Sequence, residues 1–112
     1  MKIAKFNETI GYQDRRYKID LELLSKLVLD KSIRKELKLF KSHIDSYLES
    51  VYDMIEYGRG DVFLYSITNE FKIAYIKSAK FSNTLQTVPV ETLIGFDLEE
   101  YKVFKDSEKY NL

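Results

Sequence analysis

Seven apolar or aromatic side chains, Ile33, Leu37, Phe40, Ile44, Tyr47, Val51 and Met54, follow one another at steps of 4, 3, 4, 3, 4 and 3. A strand returns a side chain to the same face every second residue and cannot use this spacing. A helix, turning once every 3.6 residues or about that, puts all seven on one stripe. Leu48 and Ile55 widen the stripe toward the breadth that suits a globular core. Asp30 or Ser32 supplies the cap at its start, and Gly58 and Gly60 its end, so one long amphipathic helix is expected. Such a helix needs an apolar surface to lie on. A core is the usual one, but seven such positions also seat a two-helix seam, so monomer and homodimer both stay open.

The flanking segments offer a sheet as that surface. Residues 62 to 67 and 71 to 76 are rich in β-branched and aromatic side chains, and Thr68-Asn69-Glu70 between them reads as a tight hairpin with Asn69 tolerating left-handed angles. Weak alternation marks strands at 2 to 6, with Ile3 and Phe6, and at 15 to 19, with Tyr17 and Ile19; a polar connector holding Gly11 separates them. Asp20 caps a short helix over 20 to 29, with Leu21, Leu24, Leu27 and Val28 as its stripe. Ser82-Asn83-Thr84 reads as loop. Pro89 suits the first turn of a last helix carrying Leu93, Ile94, Leu98, Tyr101 and Phe104, with Gly95 weakening its middle, so the segment reads as two short helices or one kinked helix. The expected fold class is α+β: a single domain over residues 1 to 112, with a long amphipathic helix packed on a mainly antiparallel sheet, plus a C-terminal helix.

A chain of 112 residues with 45% hydrophobic side chains can bury a core without staples. The absence of cysteine removes disulfides, thiolate metal sites and cysteine nucleophiles. The first residues, Met1 to Glu8, are broken by lysine, asparagine and glutamate before an apolar run can form, and no stretch has the apolar length of a membrane span. A cytoplasmic protein with no membrane partner is expected. Eighteen basic residues balance eighteen acidic ones. A nucleic-acid binder usually carries a basic surplus, because neutralising phosphates supplies much of its affinity, so nucleic acid is not the expected partner.

Motifs with chemistry are few. Arg59-Gly60-Asp61, the tripeptide that cell-surface receptors read, falls between the helix end and a strand, where glycines permit the chain to reverse; it reads as a turn. His43 is the only histidine, it has no glycine-framed serine, and it borders the apolar stripe, so it reads as packing or surface. Asp97 with Glu99 and Glu100, and Glu8 with Asp14, are carboxylate pairs that nothing forces into a cleft. No phosphate-cradling glycine pattern occurs. Neither catalytic residues nor a metal nor a cofactor is expected, and the chain reads as a non-enzyme.

One surface breaks a local rule. Along the outer face of the long helix run Arg34, Lys38 and Lys41, and then Asp45, Glu49, Asp53 and Glu56. The helix dipole favours the reverse order, by roughly 0.3 to 1 kcal/mol for a charge near an end. Asp45, Glu49 and Asp53 also repeat at four-residue spacing, so like charges stack, with a Lys41–Asp45 pair as partial relief. Local stability is not optimised here, which marks a candidate functional surface. Tyr52 and Tyr57 lie among the carboxylates and suit the role of interface anchors. The candidate partner-binding residues are therefore Asp45, Glu49, Tyr52, Asp53 and Glu56.

The C-terminal half, with its aromatic hairpin, Val88-Pro89-Val90, and then Leu98-Glu99-Glu100-Tyr101 and Phe104, resembles small immunity proteins of bacterial polymorphic toxin systems. That resemblance implies a non-enzymatic inhibitor that blocks a basic toxin or nuclease, often by presenting acidic residues to a cationic active site. Other readings stay open. One is a phage- or plasmid-type accessory protein binding a host enzyme. Another is a small RNA-binding protein or nuclease using Arg15, Arg16 and Lys18 with His43. A third is an oligomer paired through the Ile33–Met54 stripe.

Overall fold

The computed structural model describes residues 15–80 and 84–109. The strand expected at 2 to 6, the connector around Gly11 and the Glu8–Asp14 pair lie outside them, as do Ser82 and Asn83. The elements run β1 (Arg16–Ile19), α1 (Leu21–Leu27), α2 (Lys31–Leu37), a 3-10 turn (Lys41–His43), α3 (Ile44–Tyr57), β2 (Asp61–Ile67), β3 (Ile73–Ser78), β4 (Leu85–Pro89), a second 3-10 turn (Val90–Thr92), β5 (Leu93–Ile94) and α4 (Leu98–Lys109). The class is α+β: the described residues form four helices and a five-stranded antiparallel half-barrel sheet. Strand order is β4-β3-β2-β1-β5.

Burial alternates along the strands and decides which face the helices take. Tyr17, Ile19, Val62, Leu64, Ala74, Ile76, Val88 and Leu93 turn to the concave side. There they meet Leu24 and Val28 from α1 and its cap, Ile44, Val51, Met54 and Ile55 from α3, and Tyr101 from α4 in one core. Asp20 caps α1 as expected, its carboxylate accepting from the Leu23 N–H at 3.0 Å. A bulge between Leu64 and Ser66 adds a residue to β2, so Leu64 and Ile67 both reach the core side.

The expected long helix is two helices. Lys38 takes left-handed angles (φ 57°, ψ 43°), and the Leu39 N–H reaches back to the Arg34 carbonyl at 2.8 Å, which is a Schellman ending. A left-handed lysine costs about 1–2 kcal/mol. Packing of Leu37 and Leu39 against the core offsets it. Phe40, a stripe position in the sequence, is 72% exposed, and Leu39 takes the inward place instead. α2 is capped by Asp30, and the Arg34 guanidinium donates to the Val28 and Leu29 carbonyls across the α1–α2 turn.

Two further expectations change. The β2–β3 hairpin forms, but its left-handed residue is Phe71 (φ 59°), not Asn69; the cost is met by packing the Phe71 ring edge-on to Tyr101, with centroids 6.5 Å apart. Pro89 does not lead the last helix. It ends β4, the edge strand of the sheet among the described residues, where a missing N–H costs nothing, and its ψ of 139° is extended. Val88, Val90 and Leu93 are all buried, so the segment is held by the core as strand, turn and strand. The Thr92 hydroxyl donates to the Pro89 carbonyl at 2.7 Å, and the Asp20 N–H to the Thr92 carbonyl at 2.8 Å. α4 begins later, with Asp97 accepting from the Glu100 N–H at 3.1 Å.

Arg59-Gly60-Asp61 forms the helix-to-strand turn. Arg59 and Gly60 have positive φ, Gly60 N–H returns to the Ile55 carbonyl at 2.9 Å, and Asp61 opens β2 with its carboxylate 3.4 Å from Lys18 Nζ. Gly58 is needed for space: a Cβ there would stand 2.2 Å from the Asp61 carbonyl oxygen.

Two substitutions test this backbone. Lys38→Gly should raise stability by up to about 1 kcal/mol, since glycine adopts the left-handed ending freely; inside an unbroken helix it would lower stability by about as much. Gly58→Ala should lower it by about 1–3 kcal/mol through the clash with Asp61. Urea denaturation midpoints read both.

Candidate functional site

The site is the outward face of α3, and its orientation follows from what holds the inward face. Val51, Met54 and Ile55 lie in the core. On the flank toward the sheet edge, the Tyr47 hydroxyl donates to the Thr87 carbonyl of β4, and Gln86 Nε2 donates to Ser50 Oγ. The first satisfies a backbone carbonyl of β4, and the two together stop α3 from rolling. Burial raises the Tyr47 phenol well above its ordinary pKa, so it stays a donor.

Asp45, Glu49, Tyr52, Asp53 and Glu56 therefore share one exposed face, as their spacing requires. None of the four carboxylates enters an ion pair with a described side chain, and Lys41 does not pair with Asp45 as expected. Tyr52 is 38% exposed, and its hydroxyl lies 3.0 Å from Ser25 Oγ on α1, so it also ties two helices together. Tyr57, at the helix end, is 60% exposed. Beside the row, between α3 and the β3–β4 edge, runs a groove of about 400 Å³ lined by Ser50, Asp53, Met54, Tyr57, Ser78, Thr84 and Gln86.

The break at Lys38 alters the electrostatic reading. Arg34, Lys38 and Lys41 precede α3, so they are not the N-terminal half of one charged face. Asp45 lies in the first turn of α3, where the dipole favours it, and Arg34 lies in the last turn of α2, where it is favoured too. The like-charge repeat Asp45–Glu49–Asp53 remains on one continuous helix, at a few tenths of a kcal/mol or about that per pair.

The residues proposed for nucleic-acid chemistry lie on separate elements. His43 is in the turn leading into α3, its ring edge-on to Phe40 at 5.8 Å, while Arg16 and Lys18 are on β1. Among the described residues no group of three or more His, Asp or Glu side chains is placed to hold a metal ion, and no helix is long and apolar enough to cross a membrane.

Sequence reasoning missed the groove, whose far wall is made by Ser78 of β3, Thr84 and Gln86 of β4, a strand it did not expect. It also missed that Phe63, Tyr65, Tyr75 and Lys77 share the convex face of the sheet with Arg16 and Lys18, although period-2 alternation in β2 and β3 carried that signal. Comparison with protein-family models, with characterised proteins and with solved structures gives no match. The geometry alone therefore carries the functional reading.

Tyr47→Phe tests the fastening of α3. At neutral pH it should cost about 0.5–1.5 kcal/mol, the net worth of the bond to Thr87. The unfolded phenol ionises near its ordinary 10.0, whereas the folded one is held well above it, so wild-type stability is full below that pH and falls above it. The variant lacks this loss. The gap between the two proteins should narrow as pH rises past 10.0, read by denaturation across the alkaline range. The Tyr17 phenol, raised by burial in the same direction, titrates in both proteins and cancels in the difference.

Proposed function

We propose that the chain is a non-enzymatic protein-binding domain that docks the acidic face of α3 on a basic surface of its partner, and that it serves as an inhibitor of the immunity type, covering the cationic active site of a toxin or nuclease. One observation carries this reading: four carboxylates stand on one exposed helix face, and no described cation pairs with them. A stability role would pair them, and a helix rigidly fastened to its sheet presents them at fixed spacing. Charge complementarity of this kind speeds encounter and excludes wrong partners more than it adds raw affinity. Tyr52 and Tyr57, partly exposed at the two flanks of the row, supply rigid apolar contact at low entropic cost. The groove beside Asp53 and Tyr57 offers depth for a long side chain, and its carboxylate and hydroxyls suit lysine or arginine.

The test uses the tagged protein and its Asp45→Lys/Glu49→Lys/Asp53→Lys variant as baits in lysate of the source cells. Wild type should retain one basic protein at near-equal stoichiometry, and the variant should lose it, with purified-partner affinity reduced at least about tenfold and association slowed by salt. The variant's own stability should stay within about 1 kcal/mol, since all three positions are exposed. Equal capture by both baits would retire the acidic face, and capture of nothing would retire the inhibitor.

A further inference from the structure

A second surface of the molecule is built differently. On the convex side of the sheet, cross-strand pairing places Arg16, Phe63, Lys77 and Leu85 in one row over four strands. Lys18 pairs with Ile94 on β5, and Ser66, Tyr75 and Thr87 form another row. The bulge leaves Tyr65 on this side as well, with Lys77 Nζ 4.3 Å from its ring centroid. The Arg16 guanidinium lies 5.3 Å from the Phe63 centroid. Tyr65 is 57% exposed and Tyr75 37%, and no described cation sits over Tyr75. The described strands place three cations here against one carboxylate, Asp61, which Lys18 already engages; the groove that Tyr75 borders is also lined by Glu36 and Glu70, both of which Lys72 engages.

We propose that this convex face binds single-stranded nucleic acid, with Tyr65 and Tyr75 stacking on bases and Arg16, Lys18 and Lys77 contacting phosphates. Exposed aromatic rings on an open sheet, with Lys77 over one face of Tyr65 and Arg16 over Phe63, match unpaired bases on a charged backbone: the free ring faces of Tyr65 and Tyr75 take the bases and the cations the phosphates. A duplex hides its base faces, and its groove admits a helix or a two-stranded ribbon, not a five-stranded sheet. An acidic peptide would satisfy the cations and leave the rings without a matching partner. The zero net charge of the chain does not count against this, because the charge is divided between surfaces: the four carboxylates of α3 belong to a helix on the concave side. The proposal stands apart from the docking role of α3 and uses none of its residues.

The experiment is fluorescence anisotropy of the full chain with short labelled oligo(dT) and oligo(U), beside a duplex of equal length and a labelled poly-glutamate. Either single strand should bind at least about tenfold tighter than duplex, with a log–log salt slope of about −2 for three phosphate contacts. Tyr65→Ala/Tyr75→Ala should weaken binding about tenfold or more, and Tyr65→Leu/Tyr75→Leu, which keeps the apolar contact without the flat ring and guards against misfolding, should do the same. Arg16→Gln/Lys77→Gln should flatten the slope. No binding of either strand at low salt, equal binding of duplex or poly-glutamate, or full affinity in both tyrosine variants would overturn the proposal.

Discussion

The rotation of α3 about its own axis is the constraint on which the rest depends. Its apolar stripe fills the concavity of the half-barrel, and the Tyr47–Thr87 and Ser50–Gln86 bonds fasten one flank to the β4 edge. A helix held on two sides has a single outward face, and here it carries Asp45, Glu49, Asp53 and Glu56. The first of these bonds also occupies a backbone carbonyl on β4 that would otherwise be open to another strand. The edge strand, the core and the acidic row are thus one arrangement: a residue-scale slip of α3 would expose Val51, bury Asp53 and open the sheet edge together.

Much of this was legible in the sequence, and the exceptions share a cause. Periodicity found the apolar face of α3, the cap at Asp20, the hairpin strands and the acidic row, because each is a local pattern. It ran through Lys38 without noticing the break, because neither glycine nor proline marks it and the steps on either side stay in phase. The break is decided by the burial of Leu39 in place of Phe40, a choice that depends on distant partners. Pro89 shows the same dependence on distant partners. A φ near −61° fits the first turn of a helix and an edge strand equally, and only pairing with Ile73 and the burial of Val88 and Val90 select the strand. At Phe71 the strained residue is the one whose ring the core wants, not the one with the most tolerant backbone.

Losing the single long helix also changed what the candidate site means. A dipole set against its charges looked like stability given up for function. With two helices, Asp45 and Arg34 each stand at the end that favours them. What survives is narrower: Glu56 in the last turn of α3, where the dipole disfavours it, and a repeat of like charges at four-residue spacing, exposed and without counter-ions among the described residues. The repeat is the stronger signal, because no rearrangement of the helix ends can relieve it.

Charge balance over a whole chain says little about any one face. Here a half-barrel sheet separates two surfaces by the thickness of its core, and the sequence alternation that buries one side of each strand sorts the other side independently. The helix that fills the concavity presents carboxylates, while the strands' convex positions hold Arg16, Lys18 and Lys77 among Phe63, Tyr65 and Tyr75. Neutrality follows from the sum. It bears on solubility and long-range attraction, whereas recognition at contact range is set within a Debye length of about 8 Å, where each face is felt almost alone.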